Sequence, residues 1–278
     1  MDSPLPDQPL FVIEPRRSWA AADFSELREY RELLYFLTWR DVKVRYKQAT
    51  LGILWAVLQP LFLMLIFTMF YGRLAAVDTG PVPYSLFAYT GLVLWTFFAT
   101  AVTNSSNSLV SNAGLITKVY FPRMLVPAAA VAACLVDLVV ASLLLMAMLL
   151  YYGVEPGMHL LMVPVVTVLA VALATGAGMW LAAMNVKYRD IRFLVPFAVQ
   201  AWLFVSSVIL PSRSVPIRWR WLLNLNPMSA FVEGYRAAWL GQPFDWPALA
   251  IGAALTLAVL GFGVLGFRTM ERGFADVI

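Results

Sequence analysis

Four basic side chains lie within eight residues of one another, immediately before the first long apolar stretch. These side chains are Arg40, Lys43, Arg45 and Lys47. The surrounding segment, 27–48, repeats its apolar residues at helical spacing, which predicts an amphipathic helix at a membrane interface. Ammonium and forked guanidinium groups suit an anionic phosphate head group, whereas a positively charged anchor for the next span explains the same cluster. Both roles stay open from the residues alone.

Aromatic rings share one helical face with amides on two later apolar segments. Steps of three and four residues place these side chains together. They are Trp55, Gln59, Phe62, Ile66 and Phe70 on the first segment, then Phe197, Gln200 and Phe204 on the second. Rings bind the C–H faces of sugars by dispersion, and an amide adds hydrogen bonds. A face that meets lipid or packs on other helices has the same pattern, so that alternative stays open.

Asp137 is the one carboxylic acid well inside a long apolar stretch. An ionisable group in such a place is by default a candidate functional residue. A structural polar pair, with Ser142 or Thr103 as a possible partner, or a protonated acid explains it equally. A single acid is a poor basis for the proton relay of an ion-coupled carrier.

Several kinds of chemistry are disfavoured by the residue inventory. The pattern G-x-x-x-x-G-K-[ST] does not occur, so the chain has no P-loop to bind nucleotide phosphates. One histidine, His159, and one cysteine, Cys134, disfavour a zinc site and a Cys-His nucleophile. We therefore expect no catalytic residue, no metal and no cofactor bound by this chain.

The composition indicates which elements hold these residues. Of the 278 residues, 61% are apolar and 13% are charged, against roughly 25% charged in an ordinary soluble domain. Mean hydropathy is +0.76. Too little polar surface remains to cover a water-soluble globule, which excludes a soluble enzyme and predicts an all-α membrane protein.

Charge-free stretches predict six membrane spans, since a charge at the middle of a membrane helix costs about 3 kcal/mol. The spans are expected between Lys47 and Arg73 and at about 84–102, 124–152, 160–184, 193–210 and 247–267. The polar run 104–108 is expected to end the second. The chain then divides into a polar N-terminus (1–26), the interface helix (27–48), the six-span region (49–267) and a tail (268–278).

Lys and Arg flanking the spans predict the orientation. One side of the predicted spans carries 15 of these residues, including both termini, and the other side carries 5. Both termini are therefore expected in the cytoplasm. The first 25 residues contain no apolar run suited to a signal peptide, so an uncleaved N-terminus is expected.

Two short helices, 217–225 and 229–240, are predicted before the last span. They are too short to cross and are separated by turn residues, which suggests a re-entrant hairpin. Ser229 is the expected cap of the second helix, and Glu233 and Arg236 are spaced for an ion pair. A loop lying flat on the outer surface remains the alternative.

The order of several motifs resembles a known family. These motifs are TWRDVKVRYK (38–47) leading into LGILWAVLQP (51–60), KVYFPR (118–123), NVKYRD (185–190), NPM (226–228) with EGYR (233–236), and FADVI (274–278). From about residue 27 onward, the chain is similar to the permease subunit of type-two ABC exporters that move polysaccharides.

The resemblance implies a homodimer with two copies of a separate P-loop ATP-binding subunit, which uses ATP and Mg²⁺, in a bacterial inner membrane. It implies an undecaprenyl-linked polysaccharide as substrate, contact with lipid and no nucleic-acid partner. The helix 27–48 resembles the family's gate helix, the first and fifth spans resemble its conduit walls, and the hairpin resembles its outer exit. The segment 111–122 resembles the coupling helix that docks on the ATPase. The coupling residues expected on it are Leu115, Ile116, Lys118, Tyr120 and Phe121.

Other transporters and an enzyme are the alternatives. An ABC exporter of a drug or lipid is the nearest, and a secondary transporter is disfavoured by the scarcity of interior acids and of internal repeats. A membrane-embedded glycosyltransferase or phosphatase would need clustered catalytic groups, whereas the predicted outer acids are scattered over three loops.

Overall fold

A computed structural model of the chain describes residues 30–47, 51–119, 121–155, 157–271 and 273–274. Within these ranges every regular element is a helix. The predictions for the N-terminus 1–26, for residues 27–29 and Gln48 of the interface helix, for Tyr120, and for Arg272 and residues 275–278 of the tail fall outside the described residues. The predicted interface helix is present as α1, Arg31–Lys47.

Five helices of the described chain are long and apolar enough to cross a membrane. They are α2 (Gly52–Leu74), α3 (Tyr84–Ser111), α5 (Leu125–Tyr151), α6 (Met158–Lys187) and α10 (Trp246–Glu271). They coincide with the predicted first, second, third, fourth and sixth spans. The shorter helices are α4 (Ala113–Ile116), α7 (Ile191–Val205), α8 (Ile217–Asn224) and α9 (Pro227–Leu240).

The prediction that the polar run 104–108 ends the second span is wrong, because α3 continues through it to Ser111. Polar groups of this run form hydrogen bonds with the neighbouring helices and do not interrupt the helix. Ser105 donates to Pro127 O on α5 at 3.1 Å, and Asn185 on α6 donates to Ser106 O at 2.9 Å. The run therefore joins three helices.

The predicted fifth span is a helix only as far as Val205, so the prediction of a helix to Leu210 is wrong. At 1.5 Å per residue, the 15 residues of α7 cover about 22 Å, short of a hydrocarbon core of about 30 Å. The residues that follow leave the helix yet are buried. Their carbonyls accept bonds from side chains of other helices. Arg236 donates to Ser207 O and Val208 O, both at 3.3 Å. Tyr84 donates to Ile209 O at 2.9 Å, and Asn226 donates to Val205 O, at the end of α7, at 3.1 Å.

The short helices before the last span differ in burial. The described side chains of α8 are exposed except the half-buried Leu223, whereas nearly every residue of α9 is buried against α3, α6 and α10. A flat outer loop is therefore wrong for α9. The predicted cap Ser229 is also wrong, since the Asn226 side chain accepts from Met228 N and α9 begins at Pro227. The expected Glu233–Arg236 ion pair is present at 3.2 Å.

Helix α3 is the centre of the bundle and contacts α2, α5, α6, α7 and α9. Apart from the main core around α3, a separate group of buried apolar residues joins α1 and α4 to the ends of the long helices. We call this group the basal cluster. Its members include Leu37, Leu109, Ile116, Phe121, Met179, Val186 and Phe267. The interface helix and the segment after α3 therefore share one core.

Candidate functional site

A cavity of about 170 Å³ lies where the C-terminal end of α1 meets α2, α3 and α5. Two predicted groups of residues meet there: Arg45 from the basic cluster, and Trp55 with Gln59 from the aromatic face of α2. Asp137 on α5 also lines the cavity. Tertiary packing thus brings together residues from three separate parts of the sequence.

Arg45 forms an ion pair with Asp137, and its guanidinium donates to Oδ2 of the carboxylate. The side chains are 26% and 20% exposed. The predicted partner Ser142 does not supply this contact, because it donates to Leu138 O at 2.7 Å and lies 3.0 Å from the Tyr235 hydroxyl. Of the roles left open for Asp137, the structure shows a polar pair.

The charge of Arg45 is maintained by its surroundings. Burial lowers the pKa of the guanidinium, but the neighbouring Cys134 and Asp137 raise it, and the net direction is upward. Arg45 is therefore a fixed positive charge that Asp137 neutralises within the chain.

Three buried polar atoms without a hydrogen-bond partner among the described residues belong to residues that line the cavity. They are the Tyr46 hydroxyl, Thr96 Oγ1 and Asp137 Oδ1. A buried polar atom without a partner costs free energy, and such atoms concentrate where a ligand or water binds. Because all three atoms are buried, they lie beneath the cavity surface and do not face its open space.

The other basic residues that were predicted to bind an anionic head group have different environments. Arg40 donates to Asp41 at 2.8 Å and to the Asn112 side chain at 2.7 Å, which fixes α1 to the end of α3. Lys43 lies over the Trp39 ring, 5.3 Å from its centroid, and Lys47 is exposed. Lys43 and Lys47 are thus the members of the cluster on an exposed face.

Both predicted aromatic faces point away from the core of the chain. On α2, Trp55, Phe62 and Phe70 are each 53% exposed, and Gln59 is exposed beside them. On α7, Phe197 is 73% and Phe204 65% exposed, with Gln200 exposed between them. More than half of each of these rings is therefore free of this chain's own helices, and lipid, a second copy and a passing substrate all remain as contacts.

The predicted coupling residues divide into two groups. Ile116 and Phe121 are buried in the basal cluster, and Leu115 packs against it. Lys118 is exposed. Tyr120 lies outside the described residues. Lys118 is thus available to a docking partner, whereas Ile116 and Phe121 connect this segment to α1 through shared packing.

Sequence reasoning missed Tyr46, Thr96 and Phe97 as members of the cavity. Tyr46 stands inside the quoted basic motif, which was a usable signal. Thr96 had none, since nothing in the sequence distinguishes it from Thr90, whose hydroxyl donates to Leu86 O at 2.6 Å.

Comparison with known proteins gives one matching family model, described as ABC-2 type transporter, over residues 32–240. The O-antigen export system permease protein RfbA of Myxococcus xanthus is 29% identical over 91% of this chain and 98% of its own length. The protein of the same name from Klebsiella pneumoniae is 26% identical over 89% and 95%. The polysialic acid transport protein KpsM of Escherichia coli is 24% identical over 84% and 91%.

Proposed function

Since the chain belongs to the ABC-2 type transporter family, we propose that it is the membrane-spanning permease subunit of an exporter that moves a lipid-linked polysaccharide. The observation that carries this proposal is the pair of aromatic and amide faces on α2 and α7, which point outward from the chain. The names of the relatives, an O-antigen export permease and a polysialic acid transport protein, support the class of substrate.

A second copy of the chain completes the conduit in this proposal. One chain cannot enclose a polymer between two faces that both lie on its outside, and a homodimer brings a second pair of such faces. Trp55, Phe62 and Phe70 with Phe197 and Phe204 then line the path, and Gln59 and Gln200 supply hydrogen bonds to sugar hydroxyls. A closed path also keeps the hydrophilic polymer away from lipid tails.

The energy comes from two copies of a separate P-loop ATP-binding subunit, which uses ATP and Mg²⁺. Lys118 meets this subunit, and closure of the subunits on ATP moves the segment 111–122. The basal cluster supports this route, because Ile116 and Leu37 both belong to it, so the segment 111–122 and α1 pack on one shared core. Helix α1 then acts as a gate beside the lipid, with Lys43 and Lys47 on the exposed side of the cluster meeting the anionic head of the carrier.

We place the chain in a bacterial inner membrane with six crossings and both termini in the cytoplasm. Helix α7 with the segment 206–210 makes the fifth crossing, and α8 and α9 form a re-entrant hairpin at the outer exit. Non-helical backbone is tolerated at membrane depth only where protein groups satisfy it, and side chains bond four of the carbonyls from 205 to 209. The excess of basic residues on one side supports this orientation.

Export in reconstituted vesicles tests the function. The purified complex with its ATP-binding partner is placed in vesicles that contain an undecaprenyl-linked polysaccharide on the outer leaflet. ATP added outside should move the polymer to the lumen, where it escapes a glycan-degrading enzyme added outside. Vesicles that contain this chain without its partner are the control. ATPase activity stimulated by a phospholipid or a hydrophobic drug, with no protection of the polymer, would assign the protein to the alternative class of ABC exporter.

Reversing the charge of Lys118 should uncouple the two subunits. We expect Lys118→Glu to reduce polymer-stimulated ATPase activity about tenfold, since a repulsive charge at a docking contact costs on the order of 1 to 2 kcal/mol. Thermal stability of the isolated chain should not change, because Lys118 is exposed. The matched control is Arg218→Glu on α8, an equal charge change at another exposed basic residue. Equal ATPase activity in the two variants would contradict the coupling role of Lys118.

A further inference from the structure

The junction between α6 and α7 carries three exposed basic side chains, which we call the α6–α7 basic cluster. They are Lys187, Arg189 and Arg192. With Asp190 as the one acid between them, the junction has a net charge of +2. None of the three basic side chains forms an ion pair with a described residue. An exposed, uncompensated positive cluster attracts anions. The motif NVKYRD (185–190), which the proposed function leaves without a role, contains two of its members.

Aromatic rings hold two of these cations where an acid could have done so. The Arg192 guanidinium lies over the Phe193 ring, 4.5 Å from its centroid, and the Lys187 ammonium lies over the Tyr188 ring at 5.3 Å. A guanidinium that lies over a ring keeps the N–H groups at its edge free to donate. Two such N–H groups match two oxygens of one phosphate. Arg192 therefore presents its donors to an anion from outside the described chain.

The cluster stands at the start of the exposed aromatic face of α7. Phe193 follows Arg192 directly, and Phe197 and Gln200 continue the face at steps of four and three residues. Phe193 is 66% exposed, so its ring lies as open as those further along the helix. In a lipid-linked polymer, the phosphate of the carrier is attached to the first sugar. A phosphate held at the cluster therefore brings that sugar to the Phe193 and Phe197 rings.

Hydrogen bonds place the cluster at the end of the bundle where α1 lies. Asn185, near the end of α6, donates to Ser106 O at 2.9 Å and to the Asn107 side chain at 3.0 Å, close to the end of α3. Asn112, which follows α3, accepts from Arg40 of α1 at 2.7 Å. The positive-inside preference accounts for basic residues at this end. It does not account for their position beside exposed rings at the start of an aromatic face.

We infer that the α6–α7 basic cluster binds the phosphate head group of the lipid that carries the polymer. The inference rests on the proposed function and adds a binding site to it. In that function Lys43 and Lys47 on α1 meet the head group beside the gate. The cluster is a further contact of the same head group, on helices that pack against α3 instead of on α1. Its positive charge and free guanidinium donors complement a phosphate, and the adjoining face receives the attached sugar.

Protection of a cysteine within the cluster tests this site. Asp190→Cys places a thiol between Arg189 and Arg192 at an exposed position, and the Asp190 side chain caps no backbone group of α7. The native Cys134 is buried, so the unsubstituted chain reports background labelling. The complex with its ATP-binding partner, in phosphatidylcholine nanodiscs, is labelled with an uncharged water-soluble maleimide while geranyl diphosphate is titrated. Labelling should slow about tenfold at a probe concentration of about nine times its Kd.

Replacing Arg192 separates binding from folding. In the Asp190→Cys chain, Arg192→Gln should raise the geranyl diphosphate concentration for half protection about tenfold. Arg192→Lys should be intermediate, because an ammonium keeps the charge but lacks the fork. The matched control is Arg218→Gln, since Arg218 is exposed and also lies over the ring of the next residue, Trp219, at 5.9 Å. That control should keep the protection, and both Gln variants should melt at the same temperature, because each loses one exposed cation–π contact.

Several results would overturn the inference. Equal half-protection concentrations in the Arg192→Gln and Arg218→Gln chains would place the probe elsewhere. Equal protection by inorganic pyrophosphate would show a site for a free anion, and protection by phosphatidylglycerol nanodiscs without the probe would make bulk phospholipid the occupant. A thiol that is labelled only in the chain purified without its partner would make the ATP-binding subunit the occupant. A thiol that is never labelled would contradict the exposed position of the cluster.

The inference and the proposed function can fail separately. Geranyl diphosphate without effect, in a complex that still exports polymer into vesicles, would remove this site and leave the proposed function intact. Failure of export, in a complex whose cluster is still protected by geranyl diphosphate, would instead count against the proposed function.

Discussion

Replacing Gly263 with alanine is expected to destabilise the chain by about 3 kcal/mol, at the upper end for an overpacked core. Helices α6 and α10 approach each other closely at Gly176 and Gly263. A Cβ on Gly263 would lie 2.1 Å from Gly176 O and 2.7 Å from its carbonyl carbon. These are backbone atoms, so the two helices would have to separate. Small residues allow this approach, which drives helix association where lipid removes the hydrophobic effect.

Gly261 provides the matched control for this substitution. It lies on the same helix, and a Cβ there meets nothing within 4 Å. Gly261→Ala should therefore stabilise the chain by up to about 1 kcal/mol through helix propensity alone. The measurement is the melting temperature of each variant in detergent, with the yield of monodisperse protein. If Gly263→Ala melted at or above the temperature of Gly261→Ala, the close contact of α6 with α10 would not exist as described.

Replacing Arg236 with methionine is expected to cost about 3 to 5 kcal/mol, the usual effect of removing one side of a buried charged network. The Arg236 side chain is 1% exposed and lies over the Phe87 ring, 3.6 Å from its centroid. Its guanidinium donates to the carbonyls of Phe87, Ser207 and Val208 at 3.3 Å. Arg236 thus donates hydrogen bonds to the non-helical backbone after α7, whose carbonyls are not bonded within a helix. Methionine fills similar space but removes the donor from the non-helical Ser207 and Val208 carbonyls.

Arg220 is the control, because it also donates to two backbone carbonyls, of Val215 and Arg213, but is exposed. Arg220→Met should change stability by no more than about 0.5 kcal/mol, since water replaces its bonds. Arg236→Lys should be intermediate, because an ammonium keeps the charge but lacks the planar fork. Melting temperatures and the rate of proteolysis near 206–210 measure these effects. Equal melting of Arg236→Met and Arg220→Met would mean that Arg236 does not support this backbone.

The long spans were predictable because the composition of each membrane helix depends on the lipid around it. A helix in lipid must be apolar over about 20 residues whatever its neighbours are. The charge-free stretches therefore located α2, α3, α5, α6 and α10, and the motif order identified the family. The same local reasoning found the Glu233–Arg236 pair, since a separation of three residues on a helix fixes the distance by itself.

The errors in the predicted spans arose where distant residues satisfy the backbone. The run 104–108 looks like a loop because serine and asparagine compete for backbone bonds, yet here α5 and α6 supply partners and the helix continues. The segment 206–210 looks like the end of an apolar helix, yet Arg236 and Tyr84 bond its carbonyls and allow it to unwind. Neither outcome is encoded within a short stretch of residues.

The candidate site, too, was predictable from the sequence only in part. The sequence by itself determined that the chain lies in lipid, that Arg45 stands in a basic cluster, that Trp55 and Gln59 share a face, and that Asp137 is an unusual interior acid. Only the tertiary structure decided that Arg45 neutralises Asp137 across 92 residues and that Tyr46 and Thr96 join them around one cavity. The reason is physical: hydropathy and periodicity are properties of one helix, whereas the pairing of a charge and the satisfaction of a hydroxyl depend on which helices pack together.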